Sequence, residues 1–258
     1  MKLNFLPDRG TKPRQKGLTM VMDKGLTTNE ARGLCAMGER SIDLVKLGFG
    51  TSLFSDNTSD KIAIYKEAGI DVYLGGTLLE AAYIRGQIAD YTAFVDRLGI
   101  TTIEVSDGSI ILPHDEKCAL IATLSKRYRV LSEVGSKVAC HEIPTCEWVE
   151  MMEKELAAGS WKVIAEAREA GNVGVFDGKG AANTEMIDQI TAKIDNSNIV
   201  WEAPQKAQQV WFVKHLGADV NLGNIAPAEV ISLETIRCGL RGDTFGLHLP
   251  QELKKRVQ

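Results

Sequence analysis

Ten side chains able to do acid–base, anion-binding or metal chemistry stand in or just after short apolar runs: Asp23, Lys46, Glu104, Asp107, Glu133, Lys137, Glu166, Arg168, Glu202 and Asn221. The six acids among them, brought together, repel one another and any anionic substrate. A hard divalent cation relieves that repulsion, because Mg²⁺ prefers oxygen ligands. Spacing alone does not select the ligands; Glu104, Asp107 and Glu133 are the expected set. In Glu133-Val134-Gly135-Ser136-Lys137, an extended strand puts Glu133, Gly135 and Lys137 on one side. A lysine held there can donate a proton, form a Schiff base or clamp an anion. Glu166 and Arg168 alternate in phase, and an inward arginine suits bidentate contact with a carboxylate, phosphate or sulfonate.

Two glycine-containing segments suit anions. Lys46-Leu47-Gly48-Phe49-Gly50-Thr51-Ser52 combines a lysine, two glycines and two hydroxyls, a fair cradle for an anion. In Asn221-Leu222-Gly223-Asn224-Ile225 the backbone amides of Gly223 and Asn224 are expected to bind phosphate. His114, His141, His215 and His248 form no nucleophilic triad with Ser or Cys. The five cysteines include Cys140 and Cys146 around His141, at a spacing that fits no standard zinc site.

These residues need a scaffold that brings strand ends to one face. Eight apolar runs supply it: Leu18 to Asp23, Ile42 to Gly48, Ile70 to Gly75, Thr101 to Asp107, Arg129 to Gly135, Trp161 to Arg168, Ile199 to Glu202 and Ala218 to Leu222. They recur roughly every 20–40 residues with helical stretches between, the rhythm of a (β/α)₈ barrel, whose active sites lie at the C-terminal ends of the strands. The expected architecture is α/β, a single TIM-barrel domain over 1–258: an N-terminal arm (1–17), the barrel (18–240) and a C-terminal tail (241–258). In the arm, Arg9, Lys12, Arg14 and Lys16 can cap the barrel bottom or reach over the top; a solvated extension is the favoured reading.

Helix signals are readable. Asn29 is the expected N-cap of the first helix. Pro204 suits a first helical turn. Ala207, Val210 and Trp211 are expected to face the barrel, as are Val230, Leu233 and Ile236, with Gly239 closing that last helix. The four glycines between Glu169 and Gly180 suggest a loop at the mouth, a lid or a floppy insertion, before a helix near Asn183 to Ile194.

The 258 residues are 44% hydrophobic and 25% charged, with a net charge of -4, an ordinary globular composition. No basic tract points to nucleic acid. No apolar stretch reaches the roughly 18 residues of a membrane span, and the first residues do not read as a signal peptide. A cytoplasmic protein with reduced thiols is expected, and a homo-oligomer, as is common for barrels of this size.

Several blocks together resemble the phosphosulfolactate synthase family. They are Gly17 to Gly25, Asp43 to Thr51, Gly75 to Glu80, Glu104 to Gly108, Ser132 to Lys137, Glu202 to Pro204, Val220 to Ile225 and the tail Leu233 to Thr244. The resemblance implies a (β/α)₈ enzyme that adds sulfite to phosphoenolpyruvate with Mg²⁺, giving (2R)-2-phospho-3-sulfolactate. In methanogens that step opens coenzyme M biosynthesis. It further implies Lys137 as the general acid; Lys46 and Arg168 suit the two anionic substrates. The chain departs from the family pattern at Ala170, where serine is common, and at Phe49, where tryptophan is. Two other readings stand beside it: a Mg²⁺-dependent lyase or aldolase acting on another phosphorylated carboxylate, and a non-catalytic barrel like the plant heat-stress-associated proteins of the same family.

Overall fold

The computed structural model describes residues 1–135, 143–167 and 170–257. Eight parallel strands are present among them: β1 Thr19–Asp23, β2 Leu44–Leu47, β3 Asp71–Leu74, β4 Thr102–Val105, β5 Arg129–Val134, β6 Ser160–Ala165, β7 Ile199–Glu202 and β8 Leu222–Ile225. The helices that follow them are α1 Thr28–Gly38, α2 Thr58–Glu67, α3 Gly76–Tyr83, α4 Ile88–Arg97, α5 His114–Leu124, α6 Thr145–Ala157, α7 Thr184–Thr191, α8 Lys206–Leu216, α9 Val230–Arg237 and the short α10 Gln251–Lys254. The strand order β3-β2-β1-β8-β7-β6-β5-β4 curls the sheet into a nearly closed (β/α)₈ barrel. The seam lies between β3 and β4. Side chains stitch it at both ends: Thr102 Oγ1 donates to Asp71 Oδ2 at 2.6 Å at the bottom, and the Gly76 amide donates to Glu104 Oε1 at 2.6 Å at the top.

Strand alternation sorts the side chains into two cores. Outward residues such as Val45, Val72, Ile103, Val130, Val163 and Ile199 pack against the helices. Inward residues Met20, Leu44, Tyr73, Leu131, Ile164 and Val200, with Leu18, fill the barrel. This plug is the floor on which the mouth is built.

The eighth strand begins at Leu222, later than its apolar run suggests. Gly217 to Val220 form a turn, with the Val220 amide bonded to the Gly217 carbonyl at 3.3 Å. Asn221 is therefore at the bottom of the barrel, not the mouth. Its side chain accepts from the Leu18 amide at 3.0 Å and donates to the carbonyls of Ser197 and Ile199 at 3.0 and 2.8 Å. The arm is not a solvated extension either. Arg14 is buried and makes a two-pronged contact with Asp43, both bonds at 2.9 Å, and Arg9 pairs with Glu234 and Asp219. Asp43 directly precedes β2, Asp219 lies in the turn before β8 and Glu234 is on α9, so the arm caps the bottom of the barrel.

Three helix readings shift, the first at Pro204, which stands just before the Gln205 N-cap of α8 and not in its first turn. Thr27, not Asn29, caps α1, in a reciprocal capping box with Glu30. In α8 the buried face is Gln208, Gln209, Phe212 and Val213, one step round from Ala207, Val210 and Trp211. The two glutamines are drawn inward because each has backbone to bind: Gln208 donates to the carbonyls of Gly171 and Gly180, and Gln209 to that of Ala203. Asn183 caps α7, at the start of its expected span. Val230, Leu233 and Ile236 of α9 are buried as expected, and Gly239 follows with φ 67°.

Candidate active site

A cavity of about 440 Å³ opens at the C-terminal ends of the strands. Each strand, or the residue just past it, gives one wall residue: Met22, Lys46, Gly75, Glu104, Glu133, Glu166, Glu202 and Asn224 in strand order. Seven of the eight follow from alternation, since Met20, Leu44, Tyr73, Leu131, Ile164 and Val200 lie two positions earlier in the plug, and Glu104 shares their phase. Asn224 follows from a bulge instead. Thr19 pairs with Leu222 but Val21 with Ile225, so β8 carries one extra residue between them. Asn224 takes a left-handed φ of 55° there, which aims its side chain into the cavity. Its Oδ1 is buried with no hydrogen-bond partner among the described residues. The neighbouring Gly223 is small for a packing reason, because a Cβ would lie 2.7 Å from Met20 Cε.

The wall is electrically lopsided. β4 to β7 supply four consecutive acids, while β8, β1 and β3 supply uncharged residues. Lys46 on β2 reaches across to the acidic half: its Nζ lies 3.0 Å from Glu104, 3.5 Å from Glu133 and 3.6 Å from Glu202. Burial alone would lower its pKa, but these three carboxylates outweigh burial and hold it well above the ordinary value. The reach depends on two glycines. A Cβ on Gly75 would lie 3.2 Å from Lys46 Cε, and one on Gly76 2.1 Å from Ser106 Oγ and 2.9 Å from Glu104 Oε1.

Glu133, Glu166 and Glu202 each place a carboxylate oxygen within 4.8 Å of the others, and all three are buried. This donor set fits a hard divalent cation, which takes carboxylate oxygens. Burial pushes Glu202 up to about 7, against the pull of Lys46 and with the push of Glu133. Glu104 is raised too, by burial first, although Lys46 and the Gly76 amide hold its charged form.

The sequence-expected residues separate accordingly. Lys46, Glu104, Glu133 and Asn224 meet in one cavity, and Gly223 lies just below it. Of the expected metal ligands, Glu133 is in the carboxylate triad. Glu104 is engaged by Lys46 and Gly76, and Asp107 accepts from Lys117 Nζ at 2.9 Å on the outer side of the wall. Asp23 also faces outward, to Lys61 at 2.9 Å and Tyr65 at 3.0 Å. Lys137 and Arg168 lie outside the described residues, as do Cys140 and His141. Glu166 and Glu202 are among the six strand-end acids but outside the expected ligand set; their inward phase brings them together with Glu133. Met22 and Gly75 carry no chemical signal except that same phase. Beyond Arg168 the glycine-rich loop is packed at its core, with Val175 and Phe176 buried and Gly171 bonded to Gln208.

Residues 7–243 match the family model of (2R)-phospho-3-sulfolactate synthase. The chain belongs to this family. Phosphosulfolactate synthase of Methanothermobacter thermautotrophicus is 39% identical over 246 residues, covering 93% of this chain and 95% of that protein. The Bacillus subtilis phosphosulfolactate synthase is 38% identical over 245 residues, covering 94% and 97%. That of Methanocaldococcus jannaschii is 41% identical over 238 residues, covering 90% and 95%. The chain is thus an enzyme of the phosphosulfolactate synthase type. Solved structures share the barrel alone: the YdjI aldolase of Escherichia coli K12 superposes with a TM-score of 0.55 at 9% identity over 94% of this chain and 85% of that one. The 3-hexulose-6-phosphate synthase of Salmonella typhimurium gives 0.53 at 12% over 87% and 100%. Among the described residues no helix is long and apolar enough to cross a membrane.

Proposed function

We propose that this enzyme adds sulfite to phosphoenolpyruvate, giving (2R)-2-phospho-3-sulfolactate, and that it uses Mg²⁺. The observation that carries the metal is the buried triad Glu133, Glu166 and Glu202 at the barrel mouth. Mg²⁺ held by these three would supply Lewis-acid stabilisation of the charge that builds on the substrate carboxylate.

The chain's own residues do the rest. Sulfite uses its sulfur lone pair to form the C–S bond at the terminal methylene carbon. The C=C electron pair moves through C2 toward the carboxylate, and a proton returns to C2. Lys137 is the donor of that proton, and Arg168 clamps an anionic group, both as the family resemblance and the residue types suggest. Asn224 takes phosphate oxygens; its amide can present its NH₂ to them. Lys46 acts as the fixed counter-ion of the acidic half-ring rather than as a free anion clamp, since its ammonium is already shared among Glu104, Glu133 and Glu202.

The proposal includes a cytoplasmic, self-associating enzyme.

The deciding assay follows phosphoenolpyruvate with and without sulfite and Mg²⁺. Consumption should need both. Consumption without sulfite, or none with both present, overturns the reading. Borohydride should trap no lysine imine; a trapped adduct would point to aldolase chemistry instead.

A further inference from the structure

Behind the acidic half-ring, between the barrel wall and the helices, lies a second charged group that the proposed reaction does not use. At its centre is Lys117 of α5, 1% exposed. An ammonium has three N–H donors, and all three are spent. Lys117 Nζ lies 2.9 Å from Asp107 Oδ1 just past β4, 2.6 Å from the Glu133 carbonyl on β5 and 2.8 Å from Glu155 Oε1 on α6. Glu155 is itself fully buried and meets His114 Nε2 at 3.3 Å. Burial opposes the charge on Lys117, yet Glu155 and Asp107 together keep its pKa above the ordinary value.

The contact with Glu133 has functional weight. The bonded carbonyl belongs to the residue whose carboxylate enters the triad. Fixing that peptide fixes the Cα–Cβ direction of Glu133. The same strand end is held by packing: a Cβ on Gly135 would lie 2.6 Å from Glu166 Cβ and 2.9 Å from Trp148. Asp107 has no such role at the cavity. It faces Lys117 and does not line the mouth.

We propose that Lys117 is a positioning residue that sets Glu133 for cation binding, and that Asp107 serves as its counter-ion rather than as a metal ligand. This rests on the reading of Glu133, Glu166 and Glu202 as a divalent-cation site. Outer partners of metal ligands typically contribute about 10–100-fold in metal affinity.

The test is Mn²⁺ binding to the whole protein, followed by the loss of the free-ion electron paramagnetic resonance signal at a temperature where every variant is folded. If the wild type binds no Mn²⁺, the cation site itself is wrong, whatever the variants do. With wild-type binding established, Lys117→Met should weaken Mn²⁺ about 10–100-fold. Lys117→Arg, which keeps a cation and its donors, should restore most of that loss. Asp107→Asn, which still accepts from Lys117, should stay within about threefold of wild type. A merely structural lysine would lower the melting temperature and leave the Mn²⁺ dissociation constant of the folded protein unmoved, and a folded Lys117→Met with wild-type affinity overturns the proposal. Should Lys117→Met not fold, Asp107→Asn decides. Near-wild-type affinity supports the counter-ion role, and a loss beyond about 100-fold would make Asp107 a ligand and end the assignment.

Discussion

Replacing Lys46 with Met keeps most of the side-chain volume and removes one buried charge. In the wild type the ammonium lies 3.0 to 3.6 Å from three carboxylates. At an effective dielectric near 20 each attraction amounts to about 5 kcal/mol. Desolvating the ammonium offsets much of this, so the net cost of leaving the acids uncompensated should be about 3–5 kcal/mol. That loss should depend on pH, with a definite sign. Glu202 already has its pKa pushed up to about 7 from an ordinary 4.5, and loss of Lys46 raises it further. A carboxyl with a raised folded-state pKa holds more protons folded than unfolded between the two values, so stability falls as pH rises through that window. The variant should lose little at pH 5 and the full amount near pH 8, a drop in melting temperature of roughly 10 °C at the upper pH. Urea unfolding of both proteins without divalent ions, across pH 5 to 8, measures it. Equal destabilisation at both ends would mean that packing, not charge, is what Lys46 supplies, and would refute the counter-ion argument.

Gly76→Ala should cost about 1–3 kcal/mol by overpacking and lower turnover as well, because its Cβ meets Ser106 and Glu104; denaturation and steady-state kinetics check the pair. Lys137→Ala should cut sulfite-dependent turnover by about 10²–10⁴-fold while leaving phosphoenolpyruvate affinity nearly intact, whereas Arg168→Ala should weaken that affinity too; kcat and substrate binding measured on both variants would expose a bystander lysine. Thermal stabilisation by Mg²⁺ should grow between pH 6 and pH 8, because Glu202 must give up a proton near pH 7 before it can bind a cation; a stabilisation equal at both pH values would remove Glu202 from the site.

Most of the barrel was legible because a strand buried on both faces reads as a continuous apolar run. Seven of the eight runs overlap their strands almost entirely. The eighth drifted because Ala218 and Val220 are as apolar as a strand yet lie in the turn before it. The acidic half-ring was legible as a set of residue types, but the choice among the acids was not. Asp107 and Glu104 sit as close to a strand end as Glu202 does. What separates them is whether the side chain points inward and what it meets there: Asp107 meets Lys117, and Glu104 meets a backbone amide across the seam. Asn224 was expected at the mouth for its backbone, and it is the β8 bulge that brings its side chain there. No pattern in the sequence marks that bulge beyond a glycine beside an asparagine. The glutamines of α8 misled for the opposite reason, since polar residues read as surface until a loop carbonyl claims them.

The seam between β3 and β4 has a consequence for how this barrel can change over time. Glu104 both closes the top of that seam, through the Gly76 amide, and anchors Lys46 beneath the acids. Its substitutional freedom is therefore narrower than that of Glu166 or Glu202, which face the cavity without spanning a joint between unpaired strands. A lineage drifting toward another reaction can exchange acids on β6 and β7 and keep a closed cylinder. To alter β4 it must first find a different latch.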